Sequence, residues 1–419
     1  MERETPLAAR LNVFDLTCLG LNCVIGTGIF FTPGIIGREL GGYGPFAFLA
    51  GGILCLAIGL CFAEMAGMFP GNGGAFLYAR GVFGAWAGFV VGWIMWLSTL
   101  LGGASVAVAF GIATAEAVGV PWLRHPASLG IVLLLAVVNY LGVRSGAVSN
   151  NLLAVAKLLP LAVFLGWAGA SLELSQGFSL SPPAQMSFLA GFLPVLYTFS
   201  GFEYVPVPGG EVRNPQHTIP LALTFTLLGS SALYFLVQVV VGAAGGAGSE
   251  TPLVTAAAAA PWLAALIGLG SLVSVASVNA SIAFTSPRCL WVLAWGGWMP
   301  PWLAGLHPVY ASPVTAILVS STLTMILTIY ATFKTLADLS VLASLLQYLP
   351  TILGVLVLRF RAPERDRPYR IPAGPVVALL ALAVCVVLIV KTDPSYLRGL
   401  AIALAVGMVV ALAGRGRRS

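Results

Sequence analysis

The stretch that decides the fold is residues 20–33, which read GLNCVIGTGIFFTP. It lies in an apolar segment long enough to cross a bilayer, yet Gly26 and Gly28 flank the hydroxyl residue Thr27 in its middle. Each glycine costs a helix about 1 kcal/mol relative to alanine, so the pattern predicts an interruption. Backbone groups freed at membrane depth must line a cavity or bind a ligand. The N–H groups and partial positive charge of a half-helix beginning near Gly28 suit a carboxylate.

A second stretch of the same kind is residues 197–203, YTFSGFE, followed by Pro206, Pro208, Gly209 and Gly210. Two interrupted membrane segments at corresponding places in two halves of a chain indicate the binding site of a transporter. The alternative is that these small residues only allow helices to pack closely. The occurrence of the pair favours the binding site.

The composition is that of a polytopic membrane protein. Hydrophobic residues make up 59% of the chain and charged residues 8%, with a mean hydropathy of +0.98, whereas soluble domains contain about 25% charged residues. The first residues lack the features of a signal peptide, so we expect the first span to be retained. The cysteines all lie in or beside apolar segments and are interpreted as small buried side chains rather than disulfides or metal ligands; they are Cys18, Cys23, Cys55, Cys61, Cys289 and Cys385.

Apolar runs predict twelve spans in one transmembrane domain that covers residues 1–419. They lie near residues 13–36, 44–67, 83–114, 127–142, 147–170, 188–210, 218–243, 257–290, 313–332, 336–358, 375–391 and 396–413. Five spans precede the loop 171–187 and five follow it, with an interruption in the first of each set. This order suggests a five-plus-five inverted repeat, residues 13–170 and 188–358, with two additional helices in residues 375–413.

Basic residues predict the orientation. With both termini in the cytoplasm, fourteen arginines fall on the inside and five basic residues on the outside, which agrees with the positive-inside rule. We therefore expect a multi-pass protein of the cytoplasmic membrane. This orientation, together with contact with anionic lipid, explains the basic pI near 9.1, and nucleic acid need not be invoked.

Four motifs resemble those of the amino acid-polyamine-organocation superfamily. Residues 26–30, GTGIF, are similar to the signature of its first span, and FSGFE at 199–203 with GEVRNP at 210–215 is similar to its sixth span and the following loop. Pro287-Arg288 with GWMP at 297–300 looks like the end of its eighth span, although Gly296-Gly297 stands where Asp-Gly is usual. Residues 361–372 resemble the loop before its eleventh span. The likeness covers nearly the whole chain and implies a LeuT-like, all-helical fold that transports amino acids or amines.

A zwitterionic substrate needs opposite partial charges a few ångströms apart, and interrupted helices supply both. We expect the amides of Thr27 and Gly28, with the Thr27 hydroxyl, to hold the carboxylate, and the carbonyls of Val24 and Ile25 to face the ammonium. The resemblance implies that the carbonyls of Tyr197 and Ser200, which adjoins Gly201, complete the amine site. It also implies that aromatic residues of the sixth span close over the substrate, with Tyr197 and Phe202 favoured over Phe199; the alternative for each ring is simple packing.

Lys157 and Glu203 are the ionisable residues predicted deepest in the membrane. Lys157 lies about ten residues into its span, roughly 15 Å deep, where an ammonium reaches water poorly. Proton-coupled members of the superfamily carry a lysine at this place, so the resemblance implies that Lys157 couples transport to protons; the alternative is a structural lysine bonded to carbonyls at the first interruption. Glu203 follows the second interruption and either titrates during transport, attracts a cationic substrate, or is a protonated carboxyl bonded to neighbouring backbone.

The remaining polar residues are weaker candidates for the site. Ser274, Ser277 and Asn279 could coordinate near Lys157, although such residues commonly join membrane helices. Glu64 and Glu211 are expected to pair with arginines at the cytoplasmic ends of their spans.

The predicted function is proton-coupled uptake of an amino acid by alternating access. The alternative is an exchanger of amino acids or polyamines without net proton coupling. An intramembrane enzyme is disfavoured because His125, His217 and His307 fall in predicted loops and no nucleophile with a base lies at membrane depth. A channel is disfavoured because no segment resembles a selectivity filter. No cofactor or metal is expected.

Overall fold

The computed structural model describes residues 10–26, 28–171, 194–196 and 198–415. Within these ranges the chain is helical and forms two isolated β-bridges but no β-strand. The first seven α-helices are α1 (Val13–Val24), α2 (Gly28–Leu40), α3 (Gly44–Met68), α4 (Ala75–Phe83), α5 (Ala85–Val118), α6 (Arg124–Tyr140) and α7 (Val143–Ser171). The next seven are α8 (Pro215–Ala243), α9 (Pro252–Ala256), α10 (Pro261–Trp295), α11 (Val314–Tyr330), α12 (Phe333–Arg361), α13 (Gly374–Lys391) and α14 (Pro394–Arg415).

Nine helical stretches among the described residues are long and apolar enough to cross a membrane. They are Gly28–Met68, Ala85–Val118, Pro121–Tyr140, Val143–Ala168, Pro215–Ala243, Pro261–Trp295, Phe333–Arg361, Gly374–Lys391 and Pro394–Leu412. Two further apolar helices are shorter, Val13–Val24 and Val314–Tyr330. The chain is therefore a multi-pass, all-helical membrane protein. Most helices extend a few residues beyond the predicted apolar runs, because polar turns can continue a helix outside the hydrocarbon.

The predicted sixth span, residues 188–210, differs most from the structure. Residues 188–193 and 197 lie outside the described ranges. The described residues 194–196 and 198 are helical, and beyond them the described part continues in turns, which include the 3₁₀ turns Phe202–Tyr204 and Gly209–Glu211, rather than as an α-helix. Pro206 and Pro208 lack the N–H groups that an α-helix needs, and i to i+3 bonds replace the helical ladder, such as the 3.2 Å bond from Gly209 N to Pro206 O.

Two of the histidines predicted in loops lie in helices instead. His125 is in the first turn of α6 and His217 is in the first turn of α8, whereas His307 lies between α10 and α11. Hydropathy places polar residues outside a span, but it does not mark the helical turns that extend beyond the apolar core. All six cysteines are buried free thiols, as predicted.

Helix α1 lies in the interior, where α7, α8 and α10 surround it. Its close approach to α8 depends on Gly20, because a Cβ there would lie 2.3 Å from the Thr226 hydroxyl oxygen. Helix α5 likewise approaches α12 at Gly102, where a Cβ would lie 2.9 Å from the Ser340 hydroxyl oxygen. Small residues therefore allow α1 to approach α8 and α5 to approach α12.

Candidate functional site

The first interruption lies between α1 and α2. Helix α1 ends at Val24, Ile25 and Gly26 are not helical, and α2 begins at Gly28. The Gly26 N–H turns back to the Val24 carbonyl, 2.9 Å away, instead of continuing the helical ladder. Thr27 lies outside the described residues, so its role in holding a carboxylate stays a prediction.

The second interruption is fixed by Gly201. Its φ of +114° lies in a region that glycine adopts readily, and a Cβ there would lie 2.8 Å from the backbone carbonyl of Cys23. The Gly201 N–H donates to Glu203 Oε2 at 2.8 Å. Tyr197 lies outside the described residues. The turn at Gly201 therefore packs directly on the end of α1, which brings the two interruptions together.

Tyr234 of α8 joins the two interruptions. Its buried hydroxyl lies 2.8 Å from the Val24 carbonyl oxygen and 3.2 Å from the Thr198 carbonyl oxygen. Neither the hydropathy pattern nor the motifs pointed to this residue. Thr226, Ser230 and Tyr234 recur every four residues and so form a polar stripe on one face of α8, and this spacing is the signal that could have identified it.

A cavity of about 90 Å³ lies where the interruptions meet, and we call it the polar cavity. Six residues singled out in the sequence line it, namely Val24, Gly26, Gly28, Ser200, Gly201 and Glu203. The opposite wall comes from α5, α10 and α12 and includes Gly102, Ser105, Val278, Ile282, Ser340 and Ser344. Exposed backbone, hydroxyl groups and one carboxyl group therefore converge on a space suited to a small polar molecule.

Lys157 lies on the other side of the first interruption. Its fully buried Nζ donates to the carbonyl oxygens of Leu21 at 2.9 Å, Asn22 at 3.2 Å and Ile25 at 2.6 Å. Three acceptors match the three N–H donors of an ammonium group. The lysine thus replaces the helical hydrogen bonds that the Asn22 and Ile25 oxygens lose where α1 ends. The Leu21 oxygen also keeps its helical bond from the Ile25 N–H.

Of the three polar residues of α10 that were predicted near Lys157, Ser274 hydrogen-bonds at the lysine site. The Ser274 hydroxyl lies 3.2 Å from the Ile25 carbonyl oxygen and 3.2 Å from that of Gly26. Ser277 instead donates to the carbonyl of Ser274 in its own helix, and Asn279 lines a separate small cavity beside α5, α6 and α11. The Ile25 oxygen therefore receives both Lys157 and Ser274.

Glu203 and the aromatic residues of the second interruption face different surroundings. Glu203 is 2% exposed and accepts the backbone N–H of Gly201. The Phe202 ring stacks on Tyr348 at 5.5 Å and meets the edge of Phe62 at 5.9 Å, while Phe199 packs on Tyr234 at 5.0 Å. Phe202 does not line the polar cavity but a neighbouring one.

Buried ion pairs of two glutamates, Glu64 and Glu211, lie at the face at which α1 begins, which we call the N-terminal face. Arg288 of α10 forms a bidentate ion pair with Glu211, in which Nε lies 2.7 Å from Oε1 and Nη2 lies 3.0 Å from Oε2. Arg359 of α12 contacts Glu64 of α3 in the same manner at 3.1 Å and 2.5 Å. The predicted pairing of Glu64 and Glu211 with arginines is confirmed, and both partners are distant in sequence.

The fold and the cavity define a multi-pass membrane protein with a small polar site between two interrupted segments. A profile of the amino acid permease family matches residues 11–411, and the chain belongs to that family. This confirms the family resemblance seen in the sequence.

Individual relatives agree with the family. The chain is 26% identical over 413 residues to the branched-chain amino acid permease BcaP of Bacillus subtilis (strain 168), covering 93% of this chain and 89% of that protein. It is 29% identical over 392 residues to the serine/threonine exchanger SteT of the same organism, covering 88% of each chain. It is 28% identical over 389 residues to cationic amino acid transporter 4 of Homo sapiens, covering 85% of this chain and 61% of that protein. These relatives are transporters rather than enzymes, which supports amino acid transport.

Proposed function

We propose that this protein is a secondary transporter that takes up an amino acid across the cytoplasmic membrane by alternating access, driven by protons. The observation that carries the proposal is the polar cavity, which the backbone of both interruptions lines. We further propose a LeuT-like arrangement of twelve helices, with repeats at residues 13–170 and 188–358, two additional helices at residues 375–413 and both termini in the cytoplasm. Contact between Gly201 and Cys23 supports pairing of the first and sixth spans.

The substrate is held by opposite partial charges at the two interruptions. The amides of Thr27 and Gly28, with the Thr27 hydroxyl, bind the carboxylate at the positive end of α2. The carbonyls of Ser200 and Tyr197 bind the ammonium, and Glu203 adds negative charge when it is ionised. The Val24 carbonyl already accepts the Gly26 N–H and the Tyr234 hydroxyl. We assign the Ile25 carbonyl to the lysine site, because Lys157 and Ser274 already occupy its two lone pairs.

Proton coupling rests on the hydrogen bonds of Lys157. A protonated amine satisfies three carbonyl oxygens, whereas an uncharged amine has two N–H groups and directs a lone pair at one of them. Loss of the proton therefore weakens the contact that holds the end of α1 to α7. Because α1 forms one wall of the polar cavity, this change biases the equilibrium between conformations that open to opposite sides.

The test uses the purified protein in lipid vesicles with a labelled amino acid outside. Thermal-shift screening of the twenty amino acids and common polyamines first selects the substrate. We expect saturable uptake that accumulates substrate when the outside is acidic, and accumulation that collapses when a protonophore is added. Vesicles without protein are the control.

Two results would contradict the proposal in different ways. Uptake that needs an amino acid inside the vesicle and ignores the pH gradient would identify an exchanger, a function that the name of the relative SteT carries. Flux that does not saturate would identify a channel.

A further inference from the structure

A second cavity, of about 200 Å³, adjoins the polar cavity, and we call it the apolar cavity. It lies between α3, α12 and α13. Its walls are mostly hydrocarbon side chains, among them Ile58, Leu196, Leu345, Val384 and Leu388.

The two cavities are neighbours that share part of their lining. Ser200, Val341 and Ser344 line both. Ser200 is also a residue to which we assigned the substrate ammonium. A molecule bound by its charged groups at the interruptions is therefore separated from the apolar cavity only by small or β-branched side chains.

The aromatic pair Phe202 and Tyr348 forms one wall of the apolar cavity. Their rings stack at 5.5 Å with an interplanar angle of 30°, and both are almost fully buried. Phe62 supports Phe202 from the edge. The pair offers a flat, fixed surface, to which hydrocarbon chains and rings bind well.

Volume and charge restrict what the cavity accepts. An apolar cavity of about 150 Å³ is large enough to bind benzene, so a space of about 200 Å³ admits a branched or aromatic side chain. Lys391 and Thr392 line the end of the cavity where α13 ends, and the ammonium of Lys391 repels a cationic side chain.

We propose that the apolar cavity receives the side chain of the transported amino acid, and that the substrates are amino acids with large apolar side chains, branched or aromatic. This inference rests on the proposed function, because the polar cavity must hold the charged groups of the substrate. Each methylene buried in an apolar site increases affinity roughly fourfold. Leucine and phenylalanine should therefore bind roughly 10- to 100-fold more tightly than alanine, and lysine should bind more weakly than leucine.

The experiment measures KM for leucine, phenylalanine, alanine and lysine in vesicles that contain the wild-type protein, Val384→Phe or Val387→Phe. Val384 lines the apolar cavity, whereas Val387, one turn along the same helix, is 51% exposed and serves as the matched control. We expect the ratio of the alanine KM to the leucine KM to be at least about 10 in the wild type. It should fall toward 1 in Val384→Phe and stay at the wild-type value in Val387→Phe.

A second variant covers the case in which the larger ring prevents folding. Val384→Ala enlarges the apolar cavity, and we expect it to shift the preference from leucine toward tryptophan. An unchanged order of preference in this variant would overturn the inference.

Failure of the inference is distinguishable from failure of the proposed function. Wild-type uptake of alanine or lysine without preference for leucine overturns only the assignment of the apolar cavity. A preference for leucine that Val384→Phe and Val387→Phe affect equally also overturns it, because the effect would then not depend on the cavity. Absence of saturable uptake of any amino acid overturns the proposed function as well.

Discussion

Replacement of Lys157 by methionine removes the ammonium that holds the end of α1. Two of its three acceptors keep another donor, because the Leu21 oxygen also accepts the Ile25 N–H at 2.9 Å and the Ile25 oxygen also accepts the Ser274 hydroxyl at 3.2 Å. The loss is therefore concentrated at the Asn22 oxygen. One buried carbonyl left without its partner costs about 1–3 kcal/mol, which for a chain of 419 residues corresponds to a fall in melting temperature of roughly 1–3 °C.

The transport assay separates a coupling role from a structural role. In vesicles, Lys157→Met should lose accumulation driven by a pH gradient and retain counterflow exchange, which needs no proton movement. Lys157→Arg is the informative companion, because its guanidinium supplies N–H donors but does not release a proton. It should therefore keep the thermal stability of the wild type more closely than Lys157→Met does, and still lose accumulation. Lys334→Met, at an exposed position of α12, is the control.

Normal proton-driven accumulation in Lys157→Met would refute the reasoning. If Lys157→Arg restores both stability and accumulation, the lysine is a structural residue that bonds carbonyls at the first interruption, which is the alternative that the sequence left open.

Three further predictions concern the groups that hold the two interruptions and the N-terminal face. Tyr234→Phe removes a hydroxyl that joins both interruptions, and the lost hydrogen bond costs about 0.5–1.5 kcal/mol. We therefore expect KM for the substrate to rise roughly 2- to 10-fold, and an unchanged KM in uptake assays would contradict the bridging role. Gly201→Ala forces an alanine to φ +114° against Cys23 and should abolish the thermal shift caused by substrate, whereas Gly268→Ala, with no atom within 4 Å of its added Cβ, should behave as the wild type. Glu211→Gln leaves the buried Arg288 without its anionic partner and should lower the free energy of unfolding by about 3–5 kcal/mol, measured by thermal unfolding in detergent. The double variant Glu211→Gln with Arg288→Met should recover part of that loss. No recovery would argue against the ion pair as the cause.

The sequence predicted the helical class and most span positions well, since apolar content is a local property of the chain. The interruptions at Gly26 and Gly201 were visible for the same reason, because glycine and proline act on their own backbone. Hydropathy did not predict the end of a helix where the sequence stays apolar. Residues 199–210 are nearly all apolar or small, and the predicted span continued through them although Pro206 and Pro208 prevent an α-helix.

The sequence predicted which residues lie at the candidate site, but not which group each of them contacts. Phe202 was expected to close over the substrate; in the structure it stacks on Tyr348 and lines the apolar cavity, and its contact with substrate stays a prediction. Ile25 was expected to face the substrate, yet its carbonyl contacts Lys157. Which face a side chain or carbonyl presents depends on how far each helix is rotated before it ends, and one residue more or less turns it by about 100°.

By itself the sequence determined that this chain is a multi-pass helical membrane protein of a recognisable family, with backbone interruptions at two defined positions. Tertiary structure alone decided that Lys157 contacts the end of α1, that Tyr234 joins the interruptions, and that an apolar cavity adjoins the polar one. The physical reason is that helix formation in a membrane depends on local composition. Hydrogen bonds and cavities between helices instead depend on packing between segments more than 100 residues apart, such as the 132 residues between Ile25 and Lys157.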